Sequence, residues 1–171
     1  GNVFLGLVHR LDRPVSGIMI FAKTSKGASR LSEQFRNHEV EKTYHAVVLG
    51  KMERKKGIIV SHLRKDEDRN KVFVHQSAGG GTKESELSYE VVDSNAKFSL
   101  LKIKPLTGRS HQIRAQLSSI GHPIVGDIKY GAPKSLPDNS IMLRATELIF
   151  KMATGDEMIK VETPPFDISD L

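Results

Sequence analysis

The sequence predicts an α+β fold: a mixed, mostly antiparallel central sheet with flanking helices. Three observations carry that prediction. Apolar residues recur at spacings of three and four over 24–37 and again over 110–121, the mark of helices with one buried face. Residues 41–48 are rich in β-branched and aromatic side chains, as strands are. Two partly alternating runs, 84–92 and 98–103, flank the turn signal Asp93-Ser94-Asn95, which makes them an antiparallel hairpin.

Taken in order, an apolar lead-in, Val3-Phe4-Leu5 and Leu7-Val8, runs into His9-Arg10-Leu11-Asp12-Arg13. Ser16-Gly17 is expected to turn the chain into Ile18-Met19-Ile20-Phe21-Ala22, a continuous apolar run of buried-strand character. Thr24-Ser25 supplies a helix N-cap, since a short side-chain oxygen satisfies amides of the first turn. Ala28, Leu31 and Phe35 then share one face, and the helix is expected to end near Asn37-His38.

Beyond the strand at 41–48, charge dominates from Lys51 to Lys71, with short strands expected at 58–60 and 72–74 around that loop. Ala78-Gly79-Gly80-Gly81-Thr82 reads as a mobile tip or connector, because three glycines leave the backbone almost unrestricted. It has no Gly-Lys-Ser/Thr ending and so no phosphate-loop pattern. Gly108 allows a tight turn before a helix capped by Ser110, whose apolar positions are Ile113, Leu117 and Ile120 and whose stop is Gly121. Met158 to Phe166 reads as a last strand with a proline-rich exit.

A chain of 171 residues is long enough for one substantial core, so residues 1–171 are read as a single domain. Lys and Arg total 26 against 20 Asp and Glu, a formal charge of +6 that favours a polyanionic partner. The absence of cysteine excludes disulfides and thiol chemistry. No stretch approaches a membrane span and nothing reads as a signal peptide, so a cytoplasmic location is expected. The seven histidines lack paired ligand spacing, so no metal is expected.

Two stretches hold the chemistry. In the first, Asp12 stands with Arg10 and Arg13 on either side. Nearby positive charge keeps a carboxylate ionised, which suits a nucleophile or an electrostatic anchor better than a proton donor. A surface salt bridge is the ordinary reading of such a group. In the second stretch, Arg114 falls on the border of the apolar stripe of the 110–121 helix. Either its stem lies along the core or its half-buried guanidinium takes a carboxylate partner, for which Asp12 is the obvious candidate.

His-Arg-Leu-Asp-x-x-x-Ser-Gly (9–17) with the following apolar run and Ala22-Lys23 resembles the active-site segment of RluA-like RNA pseudouridine synthases. Lys42-x-Tyr44 follows at the family's distance. Leu106-x-x-Gly108-Arg109-x-His111-Gln112-Ile113-Arg114 is similar to the family's other signature. Its continuation Gly121-His122-Pro123-Ile124-Val125-Gly126-Asp127-x-x-Tyr130-Gly131 agrees as well. The resemblance covers about 7–50 and 84–167 and departs at Leu143-Arg144-Ala145, where relatives usually have His in the middle. Members usually carry further strands before the first motif, so the chain is expected to lack N-terminal strands.

The resemblance implies the pseudouridine synthase catalytic fold and conversion of uridine to pseudouridine in structured ribosomal or transfer RNA, with no cofactor and no protein partner. It implies catalytic roles for Asp12, Tyr44 and Arg114, with Tyr44 packing against the target base. Arg10 would fill the vacated stack or hold phosphate, while Arg13, Lys42, Arg109 and His111 are candidate RNA contacts. The rival readings are a catalytically inactive RNA-binding module of the same fold and a glycoside hydrolase. A hydrolase would want a second acid in a setting comparable to that of Asp12, and the sequence offers none.

Overall fold

The computed structural model describes residues 3–169. Its centre is an eight-stranded sheet. Four long strands form the middle: β4 (Glu41–Leu49), β5 (Lys56–Asp66), β7 (Lys83–Ser94) and β8 (Phe98–Pro105). β6 (Lys71–His75) lies at one edge, while β9 (Leu143–Lys151) and β10 (Met158–Glu162) complete the other. The order β10-β9-β4-β8-β7-β5-β6 is antiparallel throughout, and β2 (Ser16–Gly17) adds a parallel pairing to β9. The sheet is thus mixed and mostly antiparallel, with helices α1 (Ser25–Arg36) and α2 (Gln112–Ser119) packed against it. Neither is long and apolar enough to cross a membrane, nor is any other helix among the described residues.

α1 begins as its sequence dictates: the Thr24 hydroxyl accepts from the Gly27 amide at 3.0 Å, the N-cap bond. Leu31 is buried, and Ala28 and Phe35 pack with it on Leu148 and Phe150 of β9. The 84–103 hairpin forms as expected, but its turn lies at 95–97: beyond a bulge at Val91/Asp93, Asp93 and Ser94 still pair with Leu100 and Ser99, and Asn95 Oδ1 accepts the Lys97 and Phe98 amides. β5 and β6 outgrow their predicted lengths, since much of the charged stretch is strand, with Lys56, Arg64 and Lys65 of β5 exposed. The glycine-rich segment links β6 to β7 without pairing them.

The expected buried strand at 18–22 is replaced by a two-residue ribbon, β3 (Phe21–Ala22), paired with β1 (Gly6–Leu7). Ile18 and Ile20 turn toward α1, while Met19 and Phe21 face solvent. Its amides are spent elsewhere: Ile18 donates to Ala145 O and Ile20 to the His9 ring. Nor do Ser16 and Gly17 turn the chain. They lie flat against β9, where Gly17 (φ +126°) has the Ala145 backbone 2.3–2.8 Å from where a Cβ would stand. Only a glycine fits that approach.

The cap of α2 differs too. His111, not Ser110, is the N-cap, in the left-handed region at φ 49° and with no side-chain capping bond. The C-terminus behaves as predicted, with Gly121 at φ 85° and the amides of Gly121 and His122 returning to Ser118 O and Leu117 O. Ile120, expected in the apolar stripe, is 40% exposed at the C-cap. α2 is buried on nearly every side, Gln112 to Leu117 without a break, because the 122–131 segment folds back over it.

Arg144, at the position of the departure from the resemblance, stacks its guanidinium 4.4 Å above the Phe166 ring and donates to Pro164 O and Ser16 Oγ. It is a packing residue. It clamps the C-terminal segment, whose Phe166 and Ile168 cover Val47 and Leu100 on the far face of the sheet.

Candidate active site

The backbone of residues 12–18 is strapped to the sheet through Ile141 N to Pro14 O and Ile18 N to Ala145 O, and Val15 N closes a turn on Asp12 O. This sets Asp12 at the wall of a cleft of about 280 Å³ that also meets Tyr44 on β4 and Arg114 on α2. That volume lies close to the lower end of small-molecule sites, roughly 300 Å³.

Arg114 is 4% exposed, yet its principal partner is not Asp12. Nε and Nη2 grip both oxygens of Asp127 at 2.7 and 2.9 Å, and only Nη1 reaches Asp12 Oδ2, at 3.3 Å. The planar fork of arginine suits such a bidentate hold. Asp127, 2% exposed, is presented by the turn after Gly126 (φ +88°), which would crowd Ser140 O had it a side chain. Burial alone would draw the Arg114 pKa down; the bond and charge of Asp127, joined by Asp12, outweigh it and hold the pKa above its ordinary value. The site therefore has the second acid that the sequence reading missed, but it is consumed by Arg114 and does not line the cleft.

Burial, then the charge of Asp12, pushes the Tyr44 phenol up to about 12. The group is a protonated phenol at neutral pH. Lys42, two residues away on the same face of β4, also lines the cleft, and burial lowers its pKa. Arg10 and Arg109 sit at the rim, both exposed. Arg13 is exposed and is not part of the cleft wall. Among the described residues, Arg114 is the cation paired with Asp12, with the His111 ring 4.0 Å away, so the flanking guanidiniums do not play the part their position in sequence suggested.

His9 is structural. Its ring stacks on Phe35 at 4.4 Å and its Nε2 accepts the Ile20 amide, while burial and then Lys42 lower its pKa. Gln112 braces the start of α2: Oε1 accepts from Thr107 Oγ1 and Arg109 N, and Nε2 donates to Glu86 O. His111 places Nε2 4.0 Å from Asp12 Oδ1 and Nδ1 2.8 Å from the Tyr130 hydroxyl. Tyr130 and Asp127 are the participants that sequence reasoning passed over. Their signal was present in Gly126-Asp127-x-x-Tyr130-Gly131, together with the demand of a buried arginine for a bidentate acid. Among the described residues no group of three or more His, Cys, Asp or Glu side chains is arranged to hold a metal.

Residues 1–119 match the family model for RNA pseudouridylate synthase. The chain is 38% identical over 170 residues to an uncharacterized RNA pseudouridine synthase, YhcT, of Bacillus subtilis, covering 96% of this chain and 54% of that protein. It is 36% identical over 172 residues to tRNA pseudouridine synthase C of Vibrio parahaemolyticus, covering 89% and 69%. It is 38% identical over 167 residues to ribosomal large subunit pseudouridine synthase C of Vibrio cholerae, covering 94% and 52%. The solved structure of human RNA pseudouridylate synthase domain containing 1 superposes with a TM-score of 0.80 at 27% identity, covering 94% of this chain and 69% of that one. The chain spans about half the length of two of these curated relatives.

Proposed function

This chain belongs to the RNA pseudouridylate synthase family, and on that premise we propose that its cleft isomerises uridine to pseudouridine in structured RNA. The reaction breaks the N1–C1′ bond, turns the uracil while it stays bound, and forms a C5–C1′ bond; C5 gives up a proton and N1 gains one. Nothing external is consumed, so the chemistry asks only for a carboxylate at the sugar–base junction, a countercharge and a surface that retains the freed base. The observation that carries the reading is the Asp12 carboxylate at the cleft wall, 3.3 Å from an arginine that Asp127 already holds rigid.

In this reading Asp12 is the reactive group, and Arg114 keeps it aimed. Tyr44 is the flat face against which the extruded uracil packs. Its phenol stays protonated at neutral pH, so it is not a tyrosinate base. Arg10, exposed at the rim, fills the stack left by the flipped nucleotide or holds phosphate, while Lys42 and Arg109 take the RNA backbone. Two of the relatives are by name a ribosomal large subunit and a tRNA pseudouridine synthase, and RNA of either kind is the proposed substrate.

The test is tritium release from RNA labelled at uridine carbon 5, with parent and Asp12→Asn. Release by the parent and none by the variant supports the reading. Release by both means that the carboxylate is misassigned. Release by neither, on ribosomal and transfer RNA alike, leaves the inactive RNA-binding module.

A further inference from the structure

We infer that His111 is a positioning residue for Asp12, with Tyr130 and the Val72 amide fixing its imidazole as the tautomer that carries its proton on Nε2. The argument is a hydrogen count. The Tyr130 hydroxyl, on a side chain 5% exposed, has two neighbours: the Val72 amide at 2.8 Å and His111 Nδ1 at 2.8 Å. A backbone N–H only donates, so it takes the phenolic oxygen as acceptor. The phenolic proton is then left for Nδ1, and a buried hydroxyl proton without an acceptor would be costly. Nδ1 therefore accepts and Nε2 bears the hydrogen. That hydrogen lies on the side of Asp12 Oδ1, 4.0 Å away, while Arg114 holds Oδ2. The two oxygens are thus divided between a guanidinium and a neutral N–H. Such contacts are often long without substrate and shorten when it binds.

The surroundings keep His111 neutral. Burial lowers its pKa first; Asp12 and Asp127 oppose this, and Arg114 and Lys129 reinforce it. The phenol that supplies the proton is also held in place, edge-on to His111, with Arg114 4.9 Å and Lys71 5.6 Å from its ring centre. A neutral donor steadies the carboxylate without cancelling its charge. Simple RNA contact, the role the sequence resemblance suggested for His111, needs none of this wiring.

The inference rests on the reading of Asp12 as the reactive group, and its test separates the two. Single-turnover tritium release at saturating RNA and RNA affinity are measured for the parent, Asp12→Asn, His111→Asn, His111→Gln and Tyr130→Phe. Asparagine tolerates the left-handed backbone at 111 but offers no donor at the Nε2 position, whereas the glutamine amide reaches it. The expected result is a rate lowered about 10- to 100-fold in His111→Asn and Tyr130→Phe, with affinity unchanged. A reactive carboxylate misplaced by about 1 Å loses rate on up to that scale. Glutamine should recover most of the rate. The acid limb of the rate–pH profile should move upward in Tyr130→Phe, because losing the bond to Nδ1 favours the protonated ring. Full rate in His111→Asn, or a loss confined to affinity, overturns the inference while an inactive Asp12→Asn leaves the catalytic reading standing. Ring-nitrogen NMR of the parent decides the tautomer whatever the activity: a proton on Nδ1 of neutral His111 overturns it.

Discussion

The two halves of the site are built differently. The segment carrying Asp12 lies on the sheet by a few backbone bonds, and the Asp12 side chain is 26% exposed with its one short ion pair at 3.3 Å. Gln112 to Leu117, Asp127 and Tyr130 are buried and most of their polar groups are matched: Asp127 is 2% exposed and grips Arg114 twice, and Gln116 Nε2 donates to Ser61 Oγ and Ser85 O, although its buried Oε1 has no protein partner. In the proposed reading one half presents the reactive group and the other holds it. The difference teaches that the buried, doubly bonded ion pair belongs to the arginine and its hidden acid, whereas the carboxylate proposed as the reactive group is left partly exposed.

Substitutions in the two halves sharpen or break that contrast. Asp127→Asn has the largest expected effect on folding, since it leaves a buried guanidinium half-paired. A loss of about 3–5 kcal/mol is expected in denaturant unfolding. A loss below about 1 kcal/mol would show that Asp12 alone suffices as countercharge. Gly17→Ala comes next, because any side chain there meets the Ala145 backbone. It should cost about 1–3 kcal/mol and loosen the reactive segment, read as faster amide exchange at Ile18. Unchanged exchange would mean that the pairing of β2 with β9 does not hold Asp12. Asp12→Asn has the smallest expected effect on stability, below about 1 kcal/mol, although it should abolish tritium release. A stability loss as large as that of Asp127→Asn would remove the distinction between the halves.

Much of the scaffold was legible without coordinates. Thr24 with Ala28, Leu31 and Phe35 specifies α1, and the polar break ending at Asn95 between alternating runs specifies the β7–β8 hairpin to within two residues, because both signals are local. Where distant groups compete, local signals failed. The run at 18–22 has the apolarity of a strand, but its amides were claimed by Ala145 and His9. Ser110 is a good capping residue, but the bond of the His111 ring to Tyr130 and the left-handed backbone at His111 moved the cap by one position.

Of the candidate site, the cleft gathers Asp12, Tyr44, Arg114, Arg10, Lys42, Arg109 and His111 and leaves out Arg13. The sequence by itself determined which residue types stand ready for chemistry: an acid among cations, a tyrosine on a strand and an arginine at the edge of a helix. Only the tertiary structure decided who pairs with whom. Asp12 lies 102 residues from Arg114, and Asp127 reaches it only because the chain turns back after α2. Pairing energy depends on distance and burial, and neither is a property of sequence separation.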